Sequence, residues 1–330
     1  MSSTKKWKAV APSNIALIKY MGKTDSSKNR PTNTSLSYTL PHLRSLVEIE
    51  TSTADQDRWE PLRHFEGRDL PLLKLSDKGI ARFLAHLSRL KDHYGYAGAF
   101  IVRSANDFPS DCGLASSASS FAALTMASLD ALASLTGQKP PSATEAAEWS
   151  RQGSGSSCRS FFGPWSIWAE SSARAVPELG HEGLLHQVIV VDEEVKGVSS
   201  SQAHSRVTSS LLFHGRPERA EERVRALMTA LKQNEWREAF EISWAEFWDM
   251  HALFETSRPS FGYMTGGSVE ALRVIRAKTW DLVGDGPIVT MDAGPNIHLL
   301  YRPETVHLAN DVYVALKDRF KVISNVEGQR

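Results

Sequence analysis

The chain has 330 residues, of which 41% are hydrophobic and 23% are charged, so it is long enough for about two domains with cores of ordinary globular composition. Lysine and arginine together number 38, as do aspartate and glutamate. This balance leaves no net field to attract nucleic acid or an anionic membrane, so we expect neither partner.

The chain carries no sign of export. Its N-terminal stretch, MSSTKKWKAVAPSN, lacks the apolar core of a signal peptide, and no uninterrupted apolar run is long enough to cross a bilayer. The two cysteines, Cys112 and Cys158, have no metal-ligand spacing, so reduced thiols are the expectation. These features predict a cytoplasmic protein.

In the first half of the chain, the hydrophobic patterns alternate between strands and helices. The predicted elements are a strand over residues 8–20 interrupted by Pro12, a strand over 44–52, a helix over 76–95, a strand over 98–107, a long helix that ends at Gly137, a short helix from residue 143, a Gly/Ser loop over 151–160 and an aromatic strand over 161–170.

The second half begins with a buried strand and continues with long helical patterns. The predicted elements are a strand over residues 185–194, helices over 216–234, 235–254 and 266–280, a strand over 287–291, a turn over 292–296, a strand over 297–301, a helix over 303–320 and a strand over 320–326. The closing order of strand, turn, strand, helix and strand is typical of an α+β sandwich with an antiparallel sheet. We place the domain boundary so that residues 1–192 form an N-terminal domain and residues 193–330 a C-terminal domain.

The stretch NDFPSDCGLASSASS, residues 106–120, leads from a predicted strand into a long helix without a single lysine or arginine. Helix capping explains one of its serines, because a serine hydroxyl can accept a first-turn N–H bond, but it does not explain four. Small residues and hydroxyls at the positive end of a helix dipole can instead enclose an anion. The stretch therefore indicates a phosphate-binding loop.

Three further stretches combine small residues and hydroxyls with isolated charges. RQGSGSSCRS offers Arg151, Ser154, Ser156 and Arg159, which suit a phosphate or a carboxylate, although such loops are often solvated connections.

Lys19 lies within the apolar stretch APSNIALIKYMGK and Asp292 at the end of the strand in VTMDAGPN. On local grounds the structural interpretation is favoured for both, an edge lysine for Lys19 and an Asx-turn residue for Asp292, although a carboxylate at the second position could also accept the proton of a substrate hydroxyl.

Six motifs together resemble a known family. APSNIALIKYMGK, NRPTNTSLSYTL, NDFPSDCGLASSASSFAAL, RQGSGSSCRS, KGVSSSQ and MDAGPN occur in the order and rough spacing of mevalonate diphosphate decarboxylases, which are members of the GHMP kinase superfamily. The resemblance begins near residue 9 and covers nearly the whole chain. It implies a two-domain α+β sandwich of the GHMP kinase fold, with the active site in the cleft between the halves.

The resemblance also implies an activity. Enzymes of this family use ATP and Mg²⁺ to convert (R)-mevalonate 5-diphosphate to isopentenyl diphosphate, carbon dioxide, ADP and phosphate, in isoprenoid biosynthesis by the mevalonate pathway. We therefore expect ATP and magnesium as cofactors, mevalonate 5-diphosphate as the small-molecule substrate, and a homodimer by analogy.

Site residues follow from the same resemblance. Asp292 would orient or deprotonate the substrate hydroxyl, Lys19 would offset charge on the transferring phosphoryl group, and Arg159 would hold the substrate carboxylate. The residues expected to bind the substrate are Tyr20, Lys23, Ser154, Ser156 and Arg159. The residues expected to bind ATP are Asn106, Pro109, Gly113, Leu114, Ala115, Ser116 and Ser117. Either Ser116 or Ser117 would contact the magnesium shell.

Several positions depart from the family pattern and leave the finer specificity open. They are Met21 in place of Trp, Asp107 in place of Asn, Asp111 and Cys112 in place of two alanines, Ser157 in place of Ala, and Ala203 and His204 in place of Gly and Met. Lys78 is aligned with a substrate-binding arginine of many relatives. A decarboxylase of a mevalonate monophosphate analogue, a small-molecule kinase and an inactive ligand sensor are the alternatives.

Overall fold

A computed structural model of the chain describes residues 4–108, 116–170, 172–193 and 197–329. The described strands are β1 (Lys6–Ile18), β2 (Lys23–Asp25), β3 (Arg30–Pro31), β4 (Ser35–Ser52), β5 (Arg58–Pro61), β6 (His64–Phe65), β7 (Arg68–Asp69), β8 (Ala99–Asn106), β9 (Trp165–Ala169), β10 (Ser172–Ala175), β11 (Leu185–Val190), β12 (Ile288–Met291), β13 (Ile297–Tyr301) and β14 (Lys321–Ser324). The described helices are α1 (Asp77–Tyr94), α2 (Ser116–Thr136), α3 (Ala143–Gly153), α4 (Ser200–Arg206), α5 (Arg216–Lys232), α6 (Trp236–Glu255), α7 (Gly266–Lys278), α8 (Trp280–Val283) and α9 (Val306–Leu316).

The larger sheet is built around β4. Its order is β10-β9-β4-β8-β5, with β1 paired antiparallel along β4, and only the β5–β8 pair among the described strands is parallel. The β1–β4 register shifts between Pro12 and Ser13, because proline has no N–H to donate to the ladder. That shift lets one long strand carry the chain from the edge of the sheet into the centre of the molecule.

Helices α1, α2 and α3 cover one face of this sheet. Leu124 and Leu132 of α2 pack with Phe83 of α1 and with Val47 and Phe100 of the sheet in one buried cluster. By length and composition, α2 is the one helix in the described ranges that is apolar enough to cross a membrane, but 67% of its most apolar window is buried inside the protein. It is therefore a core helix of this fold.

The smaller sheet belongs to the second half of the chain. Its order is β12-β13-β11-β14 and every pair is antiparallel. Ile15 and Leu17 of β1 share a buried cluster with Val289 and Leu299 of this sheet and with Leu227 of α5. The two halves therefore share apolar core, and their strand ends meet at one place.

The α+β class and the elements that close the chain are as predicted. Short elements that were not predicted include α4, α8 and β10, and two details of the predicted binding stretches also differ from the prediction. The stretch predicted as a Gly/Ser loop is the end of α3 followed by a 3-10 helix, Gly155–Phe161, because Ser157 Oγ donates to the Ser154 carbonyl at 2.6 Å and accepts from Ser150 Oγ at 2.7 Å. Helix α2 begins at Ser116, inside the predicted phosphate loop. The division at residue 192 stays a prediction.

Candidate active site

The ends of β1 and β12 bring together two charged residues that are far apart in the sequence. Thr290 Oγ1 donates to the Ala16 carbonyl at 3.2 Å, which holds the two strands side by side. Lys19 follows β1, Asp292 follows β12, and Lys19 Nζ donates to Asp292 Oδ1 at 2.7 Å. The lysine side chain is 3% exposed and the aspartate side chain 31% exposed, so the carboxylate is the partner that faces solvent.

The position of Lys19 is fixed at its main chain as well as at its ammonium. Its N–H donates to Glu246 Oε1 at 2.8 Å, and its carbonyl accepts from Asn33 Nδ2 at 3.0 Å. Burial lowers the pKa of Lys19 below its usual value, and the carboxylate of Asp292 opposes that shift. The fold therefore holds a buried ammonium in one place, against the carboxylate of Asp292 at the cavity wall.

Arg159 enters the same region from the 3-10 helix. Its Nε donates to Asn14 Oδ1 at 3.1 Å and its Nη1 donates to Ser35 Oγ at 3.0 Å. Burial lowers the pKa of this guanidinium. Because a guanidinium has five N–H donors, these two bonds fix its plane and leave donors for a ligand.

These side chains line one cavity of about 330 Å³. Its walls include every predicted substrate residue and, in addition, Met21, Asn29, Arg82, the serines of the first turns of α2 and α4, Met250 and His204. Both halves of the chain contribute walls, as predicted for a cleft. Asp292 is the acidic residue among the described lining residues, and Lys19, Lys23, Arg82 and Arg159 are the cations. The cavity therefore suits an anion with several negative groups.

A second cavity, of about 420 Å³, adjoins the first and shares Lys23, Asn29, Arg82 and His204 with it. Arg89 is a further cation of this second cavity. Together the two adjoining basic cavities can accommodate a ligand with more than one phosphate group.

Arg82 lines both basic cavities but was not among the residues predicted from the sequence, where Lys78 is the residue aligned with a substrate-binding arginine of relatives. Lys78 and Arg82 are both exposed residues of α1, but Arg82, one helical turn later, donates through Nε and Nη2 to the Gly153 carbonyl at 3.2 and 2.8 Å. Its guanidinium also lies over the ring of Phe121, 4.8 Å from the centroid. In the sequence, Lys78 and Arg82 both lie on the polar face of the predicted helix. The one sequence feature that could have indicated Arg82 is its position four residues after Lys78, on the same helix face.

A third cavity, of about 300 Å³, lies between α1 and the start of α2. Asn106, Ser116 and Ser117 of the predicted ATP site line it, together with apolar residues such as Leu73 and Phe83. Ser116 and Ser117 also line the first cavity, so they form a common wall. The other predicted ATP residues, Pro109, Gly113, Leu114 and Ala115, lie outside the described residues, as do the departures Asp111 and Cys112.

The donor set agrees with magnesium held largely by a nucleotide. Mg²⁺ keeps several waters and is usually bound by one or two carboxylates and substrate phosphates. The shared wall offers the hydroxyls of Ser116 and Ser117, and Asp292 offers a carboxylate. Within the described ranges no cluster of three or more His, Cys, Asp or Glu could hold a metal without a ligand.

Two of the singled-out residues serve the structure. The guanidinium of Arg151 donates from Nη1 to the Lys28 carbonyl, and the Asn29 amide donates to the Arg151 carbonyl at 2.9 Å. The Cys158 thiol is buried, which raises its pKa to about 12, so it stays protonated. Arg151 closes the β2–β3 hairpin onto α3, and Cys158 fills a core position.

The comparisons with known proteins agree over nearly the whole chain. Residues 11–176 match the diphosphomevalonate decarboxylase-like N-terminal domain, and residues 187–329 match the mevalonate 5-diphosphate decarboxylase C-terminal domain. A diphosphomevalonate decarboxylase from Ganoderma lucidum is 34% identical over 333 residues, which cover 94% of this chain and 81% of that protein.

Solved structures extend the likeness to the fold. A mevalonate diphosphate decarboxylase from Legionella pneumophila is 46% identical, with a TM-score of 0.90 over 97% of this chain and 100% of that one. MDDEF in complex with MVAPP, AMPPCP and magnesium is 27% identical, with a TM-score of 0.84 over 98% of this chain and 96% of that one. These matches confirm the predicted GHMP kinase fold.

Proposed function

This chain belongs to the diphosphomevalonate decarboxylase family, and we propose that it catalyses the ATP-dependent decarboxylation of (R)-mevalonate 5-diphosphate to isopentenyl diphosphate, as a carboxy-lyase of the mevalonate pathway. The observation that carries the proposal is the Lys19–Asp292 pair at 2.7 Å, in a cavity that Arg159 also lines. ATP and magnesium are its cofactors, in agreement with the relative bound to MVAPP, AMPPCP and magnesium.

The chemistry needs a leaving group before it can release carbon dioxide. The substrate carboxylate has no neighbouring carbonyl to accept its electrons, and the tertiary hydroxyl at carbon 3 leaves poorly. Transfer of the ATP γ-phosphoryl group to that hydroxyl yields ADP and a phosphate ester. Loss of the phosphate with the C–O bonding pair leaves carbon 3 electron-deficient, and the C–C bond to the carboxylate then breaks to give the alkene and carbon dioxide.

Each of three charged residues has one role in these reaction steps. The carboxylate of Asp292 accepts or orients the proton of the tertiary hydroxyl, because it is the lining carboxylate and 31% of its side chain is exposed. The buried ammonium of Lys19 offsets negative charge on the group in transfer. Arg159, held by Asn14 and Ser35, grips the substrate carboxylate until carbon dioxide leaves.

The remaining lining groups orient the substrate and the nucleotide. Lys23 and Arg82 face the substrate phosphates, since both line the two adjoining basic cavities. Ser116 and Ser117 stand between the substrate cavity and the cavity beside α1, where the nucleotide phosphates and magnesium would meet the substrate. When bound, magnesium neutralises charge on those phosphates.

The deciding experiment is incubation of the purified protein with ATP, Mg²⁺ and mevalonate 5-diphosphate, followed by product analysis. We expect isopentenyl diphosphate, carbon dioxide, ADP and phosphate in equal amounts. ATP consumption without carbon dioxide would indicate a kinase, and faster turnover of mevalonate 5-phosphate would indicate a decarboxylase of the monophosphate. Binding of ATP with no turnover of either substrate would indicate an inactive sensor.

We also propose a homodimer in the cytoplasm, without nucleic acid or membrane partners. The family resemblance and the balanced charge support these expectations. Light scattering after gel filtration would give the mass in solution, and a mass of one chain would contradict the dimer.

A further inference from the structure

His204 is a histidine in α4 that lines both of the basic cavities. Lys23 and Arg82 line the same two cavities from the N-terminal half of the chain. The imidazole therefore lies where the two cavities join, in the same wall region as the cations that would face the substrate phosphates.

The hydrogen bonding of His204 sets its tautomer. The main-chain N–H of Gly22 donates to Nδ1 at 3.0 Å, so Nδ1 is an acceptor and carries no proton. Burial, with Lys23 nearby, lowers the pKa of His204 to about 3, so the ring is neutral at physiological pH. A neutral imidazole with an unprotonated Nδ1 carries its hydrogen on Nε2.

The Nε2–H group is available to a ligand. Across the described ranges, Nε2 of His204 makes no hydrogen bond to another residue, and it is not one of the fully buried polar atoms. A polar N–H in a cavity lined by Lys23 and Arg82 cannot use those cations as acceptors. Its natural acceptor is an oxygen of the bound anion.

The ring is held in place before any ligand binds. It packs against Tyr20, with 4.2 Å between ring centroids and 39° between the planes, and Tyr20 packs in turn against Trp168 at 4.6 Å. With the Gly22 bond on one side and the aromatic contact on the other, the direction of Nε2–H is fixed. Such pre-organisation reduces the entropy lost on binding.

We propose that His204 is a substrate-binding residue that donates its Nε2–H to a phosphate oxygen of the diphosphate group. The proposal rests on the proposed function, which supplies the diphosphate. Lys23 and Arg82 contribute charge, and His204 contributes a neutral, directional donor that costs no additional charge repulsion in the basic cavity.

Three substitutions separate binding from structure. His204→Met introduces the residue of the family pattern and removes both ring nitrogens. His204→Asn keeps an acceptor near the position of Nδ1 for Gly22 but cannot reach the place of Nε2. His204→Gln extends far enough to return an N–H donor there. Circular dichroism and thermal unfolding establish that each variant is folded.

The measurements are the Kd of mevalonate 5-diphosphate and of inorganic pyrophosphate by calorimetry, and KM and kcat for the reaction. Since a hydrogen bond to a charged acceptor is worth about tenfold or more in affinity, Met and Asn should each raise Kd and KM about tenfold, with kcat and ATP affinity little changed. Gln should recover part of the loss.

An Asn variant that binds as tightly as wild type would overturn the proposal, because it would leave His204 only the structural bond to Gly22. Unchanged binding by all three variants would overturn it equally. If wild type binds the diphosphate but does not turn it over, the proposed function fails while the Kd comparison still decides the role of His204. A wild-type protein that binds neither anion would overturn both.

Discussion

Lys19 and Asp292 are 273 positions apart in the sequence, and Nζ of one lies 2.7 Å from Oδ1 of the other. The lysine is anchored in the interior by Glu246 and Asn33, and the aspartate is part of the cavity wall. The pair joins the residues that directly follow β1 and β12, one strand from each half of the chain. A cation fixed in this way can act on charge that develops in the cavity without moving.

Asp292→Asn should lower kcat at least a hundredfold and change KM far less. Asparagine has the same size, and the main-chain bond from Gly294 N–H to the residue 292 carbonyl at 2.7 Å does not depend on the side chain. What is lost is the carboxylate that accepts or orients the proton, and general base catalysis is typically worth about 10² to 10⁴ in rate. Steady-state kinetics on a variant shown to be folded would measure this. A kcat within a few fold of wild type would mean that the Asp292 side chain has only a structural role in the turn.

Arg159→Gln should reduce kcat/KM by about 30-fold to several thousandfold and leave ATP affinity nearly intact. Loss of one partner of a desolvated charge pair costs roughly 2 to 5 kcal/mol. Ser35→Ala is a matched control, because it removes only the hydroxyl that accepts from Arg159 Nη1 and keeps the guanidinium. We expect Ser35→Ala to have the smaller effect, and equal effects would mean that Arg159 acts mainly on the packing around Asn14 and Ser35.

Arg82→Ala should raise KM for the substrate about tenfold or more, since Arg82 lines the two basic cavities and a hydrogen bond to a charged group is worth more than a neutral one. Lys78→Ala is the control on the same helix, one turn away and exposed to solvent. The Lys78 variant should behave as wild type in the same assay. A larger effect at Lys78 than at Arg82 would restore the assignment made from the sequence.

The sequence was most informative where a motif ends a strand. Lys19, Arg159 and Asp292 stand among small residues or at a strand end, and the family resemblance gave them their expected roles; the structure brings the three side chains to one cavity. Arg82 was not singled out because an arginine and a lysine on one exposed helix face look alike until the neighbouring segment of the chain is in place. That neighbour is the Gly153 carbonyl, which comes from α3.

Helix α4 was also missed, because seven residues are too few for a periodic hydrophobic pattern. Its signal was the capping box, in which Ser199 accepts from the Gln202 N–H and the Gln202 side chain accepts from the Ser199 N–H. The sequence also contained no indication that charged residues of α5 and α6 would be buried. In the sequence Arg216 and Glu246 are ordinary charged residues of amphipathic helices, and only the packing of the two helices makes them partners.

The last prediction concerns that buried pair. Arg216 and Glu246 have fully buried side chains and are hydrogen-bonded to each other, and Arg223 Nη1 donates to Glu246 Oε2 at 2.9 Å. Glu246→Gln keeps an oxygen for the Lys19 N–H but removes the hydrogen-bonded carboxylate of Arg216, and leaves this buried cation only the more distant carboxylate of Asp249, 3.8 Å away. Because breaking one side of a buried pair costs about 3 to 5 kcal/mol, this variant should unfold at a clearly lower urea concentration.

The double variant Arg216→Met/Glu246→Gln removes the stranded cation and fills its space with an apolar side chain. It should recover at least half of the loss, since replacing both members of a buried pair is often neutral. Urea unfolding of wild type, both single variants and the double variant gives the coupling energy of the pair. A double variant no more stable than Glu246→Gln would mean that lost packing, and not the uncompensated charge, sets the cost. Glu246 accepts from the main-chain N–H of Lys19, and the glutamine of the double variant still offers an oxygen for this bond. We therefore expect the double variant to keep the catalytic lysine in place, with a kcat at least about tenfold higher than that of Asp292→Asn.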